Sequence, residues 1–310
     1  MSTAIIPDEL REYFDDPAIT DVLVNEGTDV WVERDGRLQQ VATISPRSVD
    51  LTVERILAPL GRRLDRLSPM VDARLADGTR MCAVIPPVSI RGTTVAFRKF
   101  RSHVFTLDDF TSERHASEIS ARLSRFRGNV LITGATGSGK TSLLAALASA
   151  SPPDHRLVVL EDTAELVIDH PHVVRLETRA SSADGRGEIT LHDLVRTSLR
   201  LRPDRLIIGE VRGGEALALV QAMNTGHSGC LATLHANSAA DGMRRLDLLT
   251  TQAANGWSID DARQTVDGAF DMVIHLARDP EGRRVVDEAA IVNNRAGAAR
   301  LELFITNGAR

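Results

Sequence analysis

Apolar and polar positions alternate in short bursts through the first hundred residues. Residues 21–25 and 29–34 alternate with the two-residue period of half-buried strands, and Asp35 and Gly36 supply a hairpin turn. Residues 49–60 place Leu51, Val53, Ile56, Leu57 and Leu60 at helical spacing. Residues 71–75, 79–85 and 93–100 read as further strands around a turn at Asp77 and Gly78. Together these elements predict a small α+β domain over residues 1–105, followed by a polar linker over 106–115. From Ala116 the pattern changes to strand–helix alternation. Apolar runs at 129–133, 156–160, 205–208 and 229–235 alternate with helical patterns at 140–150, 190–201 and 215–224. That order predicts an α/β domain with a mostly parallel sheet over residues 116–310.

Composition narrows the function classes. Lys and Arg together number 37 against 42 Asp and Glu, a net charge of −5. Neither half has the basic excess of a phosphate-backbone binder, so no nucleic-acid partner is expected. Cys82 and Cys230 lie too far apart to form a four-cysteine zinc site and are expected to be buried, reduced thiols. The first ten residues have no basic segment leading into an apolar core, so no signal peptide is expected. The longest stretch without a charged side chain, 216–240, contains Gln221, Asn224, His227 and His235, which make it a poor membrane span. Lysine is scarce: only Lys99 and Lys140 occur among the basic residues. Retained lysines in such a chain raise the question of why arginine would not serve.

Lys140 closes a phosphate-loop pattern, Gly134, Ala135, Thr136, Gly137, Ser138, Gly139, Lys140, Thr141, with a predicted strand before it and a helix after. Glycines at 134, 137 and 139 let the backbone curl so that successive N–H groups point at phosphate oxygens, and the helix N-terminus adds its dipole. Lys140 is placed to reach the terminal phosphates, Thr141 to ligate Mg²⁺, and Ser142 follows in the same turn. Glu210 ends the apolar strand 205–208, the arrangement that sets a carboxylate beside a nucleotide's metal ion. Glu161 follows the strand at 156–160, so it is expected at a neighbouring strand end, able to orient and deprotonate water. His235 ends another strand and His227 lies in the loop before it; either could sense phosphate. Arg175, Arg179 and Arg212 are candidate phosphate guanidiniums. Arg98, Lys99 and Arg101 lie in an aromatic-basic run, Phe97 to Phe105, that could stack single-stranded nucleic acid or merely edge a solvated domain.

In order along the chain, residues 134–141, 160–166, 202–212 and 226–237 resemble the P-loop, Asp box, Walker B and His box of bacterial type II/type IV secretion ATPases. Within that superfamily, residues 162–165, 171–178 and 223–226 most resemble the tight-adherence (Flp) pilus assembly ATPases of the CpaF type. The segments at 22–25, 32–36 and 68–80 resemble that branch's N-terminal domain. The resemblance covers about residues 15–295; the tetracysteine motif of some type II members is absent. It implies a RecA-like P-loop ATPase domain, ATP and Mg²⁺ as substrate and metal, and a homohexameric ring. It also implies nucleotide bound between the two domains, and a cytoplasmic protein peripheral to the inner membrane, acting on platform proteins there. Glu161 would be the Asp-box acid, Glu210 the Walker B acid, and Arg98 the arginine that approaches phosphate. Two other classes compete with this motor. A nucleic-acid translocase is disfavoured by the acidic balance, and a non-hydrolysing nucleotide-binding scaffold by the presence of both acids.

Overall fold

The structure is a computed structural model that describes residues 6–34, 36–99, 105–110, 126–179, 181, 186–293 and 300–306. The chain divides into two compact units, Met1–Ser102 and His103–Arg310.

In the first unit, strands β1 (Ile19–Asn25), β2 (Asp29–Arg34), β3 (Arg37–Thr43), β4 (Met70–Arg74), β5 (Arg80–Val84) and β6 (Thr94–Arg98) form one antiparallel sheet in the order β3-β2-β1-β6-β5-β4. Helices α1 (Asp8–Asp15) and α2 (Pro46–Leu57) cover one face, burying Leu10, Phe14, Val53 and Ile56 against Val22, Val24, Val30, Val32 and Phe97. The α2 helix starts earlier than its apolar spacing suggests. Ser45 caps it by accepting from the Ser48 N–H, and Pro46 occupies the first turn, where no N–H is needed. Residues 58–60 continue as a tighter 3₁₀ turn. β3 is an edge strand exposed along most of its length, so it has no burial alternation to read. Asp35 lies outside the described residues; Gly36 adopts φ +77°, which suits a turn.

Three expectations for this unit change. Phe97 is buried, edge-on to Phe14 with ring centroids 5.1 Å apart, so it has no free face for a base. Phe100 and Arg101 lie outside the described residues. Lys99 donates through Nζ to the carbonyls of Tyr13 and Asp16, satisfying acceptors at the end of α1 that a compact ammonium can reach together. Cys82 points to the exposed face of β5, because side chains alternate along a strand. Cys230 is buried and its thiol is pushed up to about 12 by that burial; both cysteines are free.

The second unit is built on β7 (Val130–Gly134), β8 (Leu157–Glu161), β9 (Val173–Glu177), β10 (Arg205–Ile208), β11 (Leu231–His235), β12 (Met272–Arg278), β13 (Arg284–Val292) and β14 (Leu301–Thr306). Their order is β14-β13-β12-β7-β11-β10-β8-β9. From β12 to β9 all pairs are parallel; β13 and β14 add an antiparallel edge. Residues of β8 alternate between two cores: Leu157 and Val159 face one, Val158 and Leu160 the other. Helix α3 (Lys140–Ser149) packs in the first of these. The second holds α4 (Leu191–Ser198), α5 (Glu215–Asn224), α6 (Ala239–Ala253) and α7 (Ile259–Ala269). Strands covered on both faces read as near-continuous apolar runs, as in residues 130–132 of β7, 157–160 of β8 and 206–208 of β10. Residues 107–110 form a 3₁₀ turn whose Leu107 and Phe110 are buried in the core beside α3, while 111–115 lie outside the described residues.

Candidate active site

The phosphate loop joins β7 to α3. Ala135, Thr136 and Gly137 form its exposed crest, whereas Ser138 and Lys140 are buried. The glycines are required by geometry. Gly134 has φ +154°, and a Cβ there would lie 2.5 Å from Ser138 Oγ and 2.7 Å from the Leu276 carbonyl; Gly139 caps α3 at φ +101°. Ser138 Oγ has no hydrogen-bond partner among the described residues, an unsatisfied hydroxyl inside a loop of backbone donors. This glycine-built cradle, with an ammonium at its base and a helix N-terminus behind it, fits a polyphosphate.

A hydrogen-bonded chain of charged and polar side chains runs from the cradle across the strand ends. Lys140 Nζ donates to the carbonyls of Gly134 (3.0 Å) and Ala135 (2.9 Å) and lies 3.2 Å from His235 Nδ1. An ammonium only donates, so Nδ1 accepts and Nε2 carries the proton. His235 Nε2 then donates to Glu210 Oε1 at 2.9 Å, and Arg212 Nη2 donates to Glu210 Oε2 at 2.6 Å. Burial holds the Lys140 ammonium below its ordinary range, with Glu210 opposing and Arg212 adding to the shift. Burial, then the Lys140 charge, likewise holds His235 low and neutral. The hydrogen bond to Glu210 holds Arg212 firmly charged.

Glu161 stands two strands beyond His235. The expectation that its strand end and that of Glu210 neighbour the phosphate loop directly is corrected: β11 lies between β7 and β10. Glu161 is buried, and its Oε1 accepts from the N–H groups of Glu165 and Leu166, both at 2.8 Å. Its Oε2 is 3.9 Å from Arg175, which also donates to the Leu166 carbonyl. Burial raises the Glu161 carboxyl above its usual range, and the two backbone N–H groups oppose that shift. Its stem packs beside Gly209, the residue before Glu210, where a Cβ would come within 3.2 Å of Glu161 Cγ.

The remaining candidates separate. Arg212 joins Glu210 and lies 3.9 Å from Asp162. Arg179 braces its own loop through the Gly187 carbonyl, and His227 Nδ1 meets the Ala222 carbonyl at the end of α5, not the Lys140–His235–Glu210 chain. Arg98 is an exposed residue at the end of β6. Sequence reading missed three contributors. Glu215 accepts from the N–H groups of Arg212 and Gly213, fixing the turn after Glu210, and its place in the first turn of α5 after two glycines was a legible hint. Arg278 donates to the Gly137 carbonyl and Arg284 packs against Gly139. Neither is legible in a chain so rich in arginine, because both approach the loop from a distant hairpin.

The family described as type II/IV secretion system protein matches residues 8–307, and the chain belongs to that family. A protein of Mycobacterium tuberculosis named for conjugal transfer is 37% identical over 296 residues, covering 90% of this chain and 82% of that one. The solved VirB11 ATPase from the Brucella suis type IV secretion system, in complex with sulphate, has a TM-score of 0.51 at 26% identity and 94% coverage of both chains. The pilus retraction motor PilT with bound ADP has a TM-score of 0.68 at 21% identity, covering 97% of this chain and 83% of that one; it shares the fold. Among the described residues no helix is long and apolar enough to cross a membrane.

Proposed function

We propose that this chain is an Mg²⁺-dependent ATPase that works as a homohexameric motor, peripheral to the cytoplasmic face of the inner membrane, driving assembly of a pilus or secretion machine. The observation that carries the reading is the connected set Lys140, His235, Glu210 and Arg212 beside a glycine cradle at the carboxyl ends of parallel strands. The names of the relatives, a conjugal transfer protein and a secretion-system ATPase, support a transfer machine as the thing driven. The motifs at 162–165, 171–178 and 223–226 favour the tight-adherence pilus branch, with membrane platform proteins as partners.

In this reading the backbone of residues 134–139 and Lys140 hold the phosphates, with Ser142 following in the same turn. Thr141 and Glu210 hold Mg²⁺, which when bound offsets phosphate charge. Glu161 orients and deprotonates the attacking water, since a buried carboxyl with a raised affinity for protons suits a general base. His235 couples Lys140 to Glu210, so a change at the phosphate reaches the metal-binding acid through one imidazole. Arg212, paired with Glu210, is proposed as a further phosphate-facing group.

Purified protein tests this. Lys140→Arg should lose hydrolysis although charge is kept, because a planar guanidinium cannot replace a compact ammonium that meets Gly134, Ala135 and His235 at once. Glu210→Gln should raise the Mg²⁺ concentration needed for half-maximal turnover. Wild-type turnover in Lys140→Arg, or an unchanged Mg²⁺ titration in Glu210→Gln, would refute the assignments.

A further inference from the structure

β7 lies between β11 and β12 in the sheet. On the β11 side stand His235 and Glu210. On the other side the β12–β13 hairpin reaches over the same loop, because β12 runs parallel to β7 with Leu276 opposite Gly134. Asp279 and Arg283 pair at 2.7 Å across the hairpin tip. Arg278 ties that tip down, donating to the carbonyls of Gly282 (2.6 Å) and Gly137 (2.9 Å). Arg284, the first residue of β13, lays its stem against Gly139: a Cβ at 139 would come within 2.6 Å of Arg284 Cδ. Its guanidinium lies 4.9 Å from the Phe105 ring centroid, and Nη1 is 3.4 Å from Ser142 Oγ on the first turn of α3.

A phosphate loop orders its ligand. The lysine reaches the terminal phosphates, and the backbone cradles those nearer the nucleoside. With Lys140, His235 and Glu210 marking the terminal end on the β11 side, the nucleoside end falls toward the hairpin. We propose that Arg284, seated on Phe105, is the residue that receives the α-phosphate and nucleoside end of the nucleotide. Its charge, held over an aromatic ring, serves a phosphate oxygen at the nucleoside end. Phe105 beneath it, the Gly139 contact and the clamped hairpin tip hold the guanidinium in place before any ligand arrives, which limits the ordering cost of binding. The proposal rests on the phosphate-loop reading given above.

The test uses the full chain and the variant Arg284→Gln, which removes the charge but keeps the Cγ and Cδ that pack on Gly139. Calorimetric titration with ADP should show at least about tenfold weaker binding, the scale of one charge-assisted hydrogen bond. Steady-state hydrolysis should show a rise in KM for ATP larger than the fall in kcat, and Arg284→Lys should recover part of the affinity. Wild-type ADP affinity in Arg284→Gln would overturn the proposal. So would a fall in kcat at unchanged KM, which would make Arg284 a brace for the loop and nothing more. Lys140→Ala is titrated alongside. If that variant also binds ADP like wild type, the phosphate-loop reading itself fails, independently of Arg284.

Discussion

Replacing Glu161 by alanine and by glutamine separates what its carboxylate holds from what it does. Its Oε1 is the acceptor for two backbone donors, the N–H groups of Glu165 and Leu166, at 2.8 Å each. Alanine abandons both. A buried donor left without a partner costs about 1–3 kcal/mol; Leu166 is buried, and Glu165 is more open to water. A total of about 2–4 kcal/mol follows. For a unit the size of residues 103–310, that is a fall in Tm of roughly 4–16 °C. Glutamine keeps the accepting oxygen and drops the buried charge. Because burial works against the Glu161 charge, removing that charge offsets the weaker acceptor, and the glutamine variant should stay within about 1 kcal/mol of wild type. The sign in pH follows from the same shift. The folded state holds the Glu161 proton above the ordinary value of 4.5, so wild type loses stability relative to the glutamine variant as pH rises through the window just above it. Hydrolysis should nevertheless fall at least ~100-fold in the glutamine variant, the usual scale for losing a general base, while Mg-ATP still binds. Thermal unfolding across pH and a phosphate-release assay read both effects. Equal Tm losses in the two variants would refute the loop-holding argument, and wild-type turnover in Glu161→Gln would refute the role as base.

Two further outcomes follow from the geometry. His235 must stay neutral for Nδ1 to accept from Lys140, and its proton affinity is held below the ordinary 6.5, so the unfolded chain takes up the proton first. Stability should therefore fall as pH drops below about 6.5, turnover should fall only at the lower pH where folded His235 takes up its proton, and the stability component should vanish in His235→Gln; an unchanged acid limb would count against the coupling. Gly242→Ala should destabilise by ~1–3 kcal/mol in urea titration, although alanine normally favours a helix by about 1 kcal/mol. The reason is that a Cβ there would run into the buried Thr133 Cγ2, one residue before the phosphate loop, so a stabilised variant would show that α6 can shift off β7 freely.

The phosphate loop was legible because its function needs a fixed local spacing of glycines, lysine and threonine on a strand–turn–helix, and no distant contact alters that spacing. The buried parallel strands were legible for a similar reason: β7, β8 and β10 are covered on both faces, so their central residues must be apolar. Local pattern failed where neighbours in space decide the outcome. The exposed edge strand β3 has no buried face to mark it, and residues 107–110 look polar because only Leu107 and Phe110 turn inward. Strand order is a tertiary property, so the insertion of β11 between the phosphate loop and Glu210 could not be read from the chain. That insertion makes His235 the bridge between Lys140 and Glu210. Likewise, a loop-facing role for Arg278 and Arg284 depends on the β12–β13 hairpin folding back beside β7 from some 140 residues away, a pairing set by sheet packing and not by any local signal.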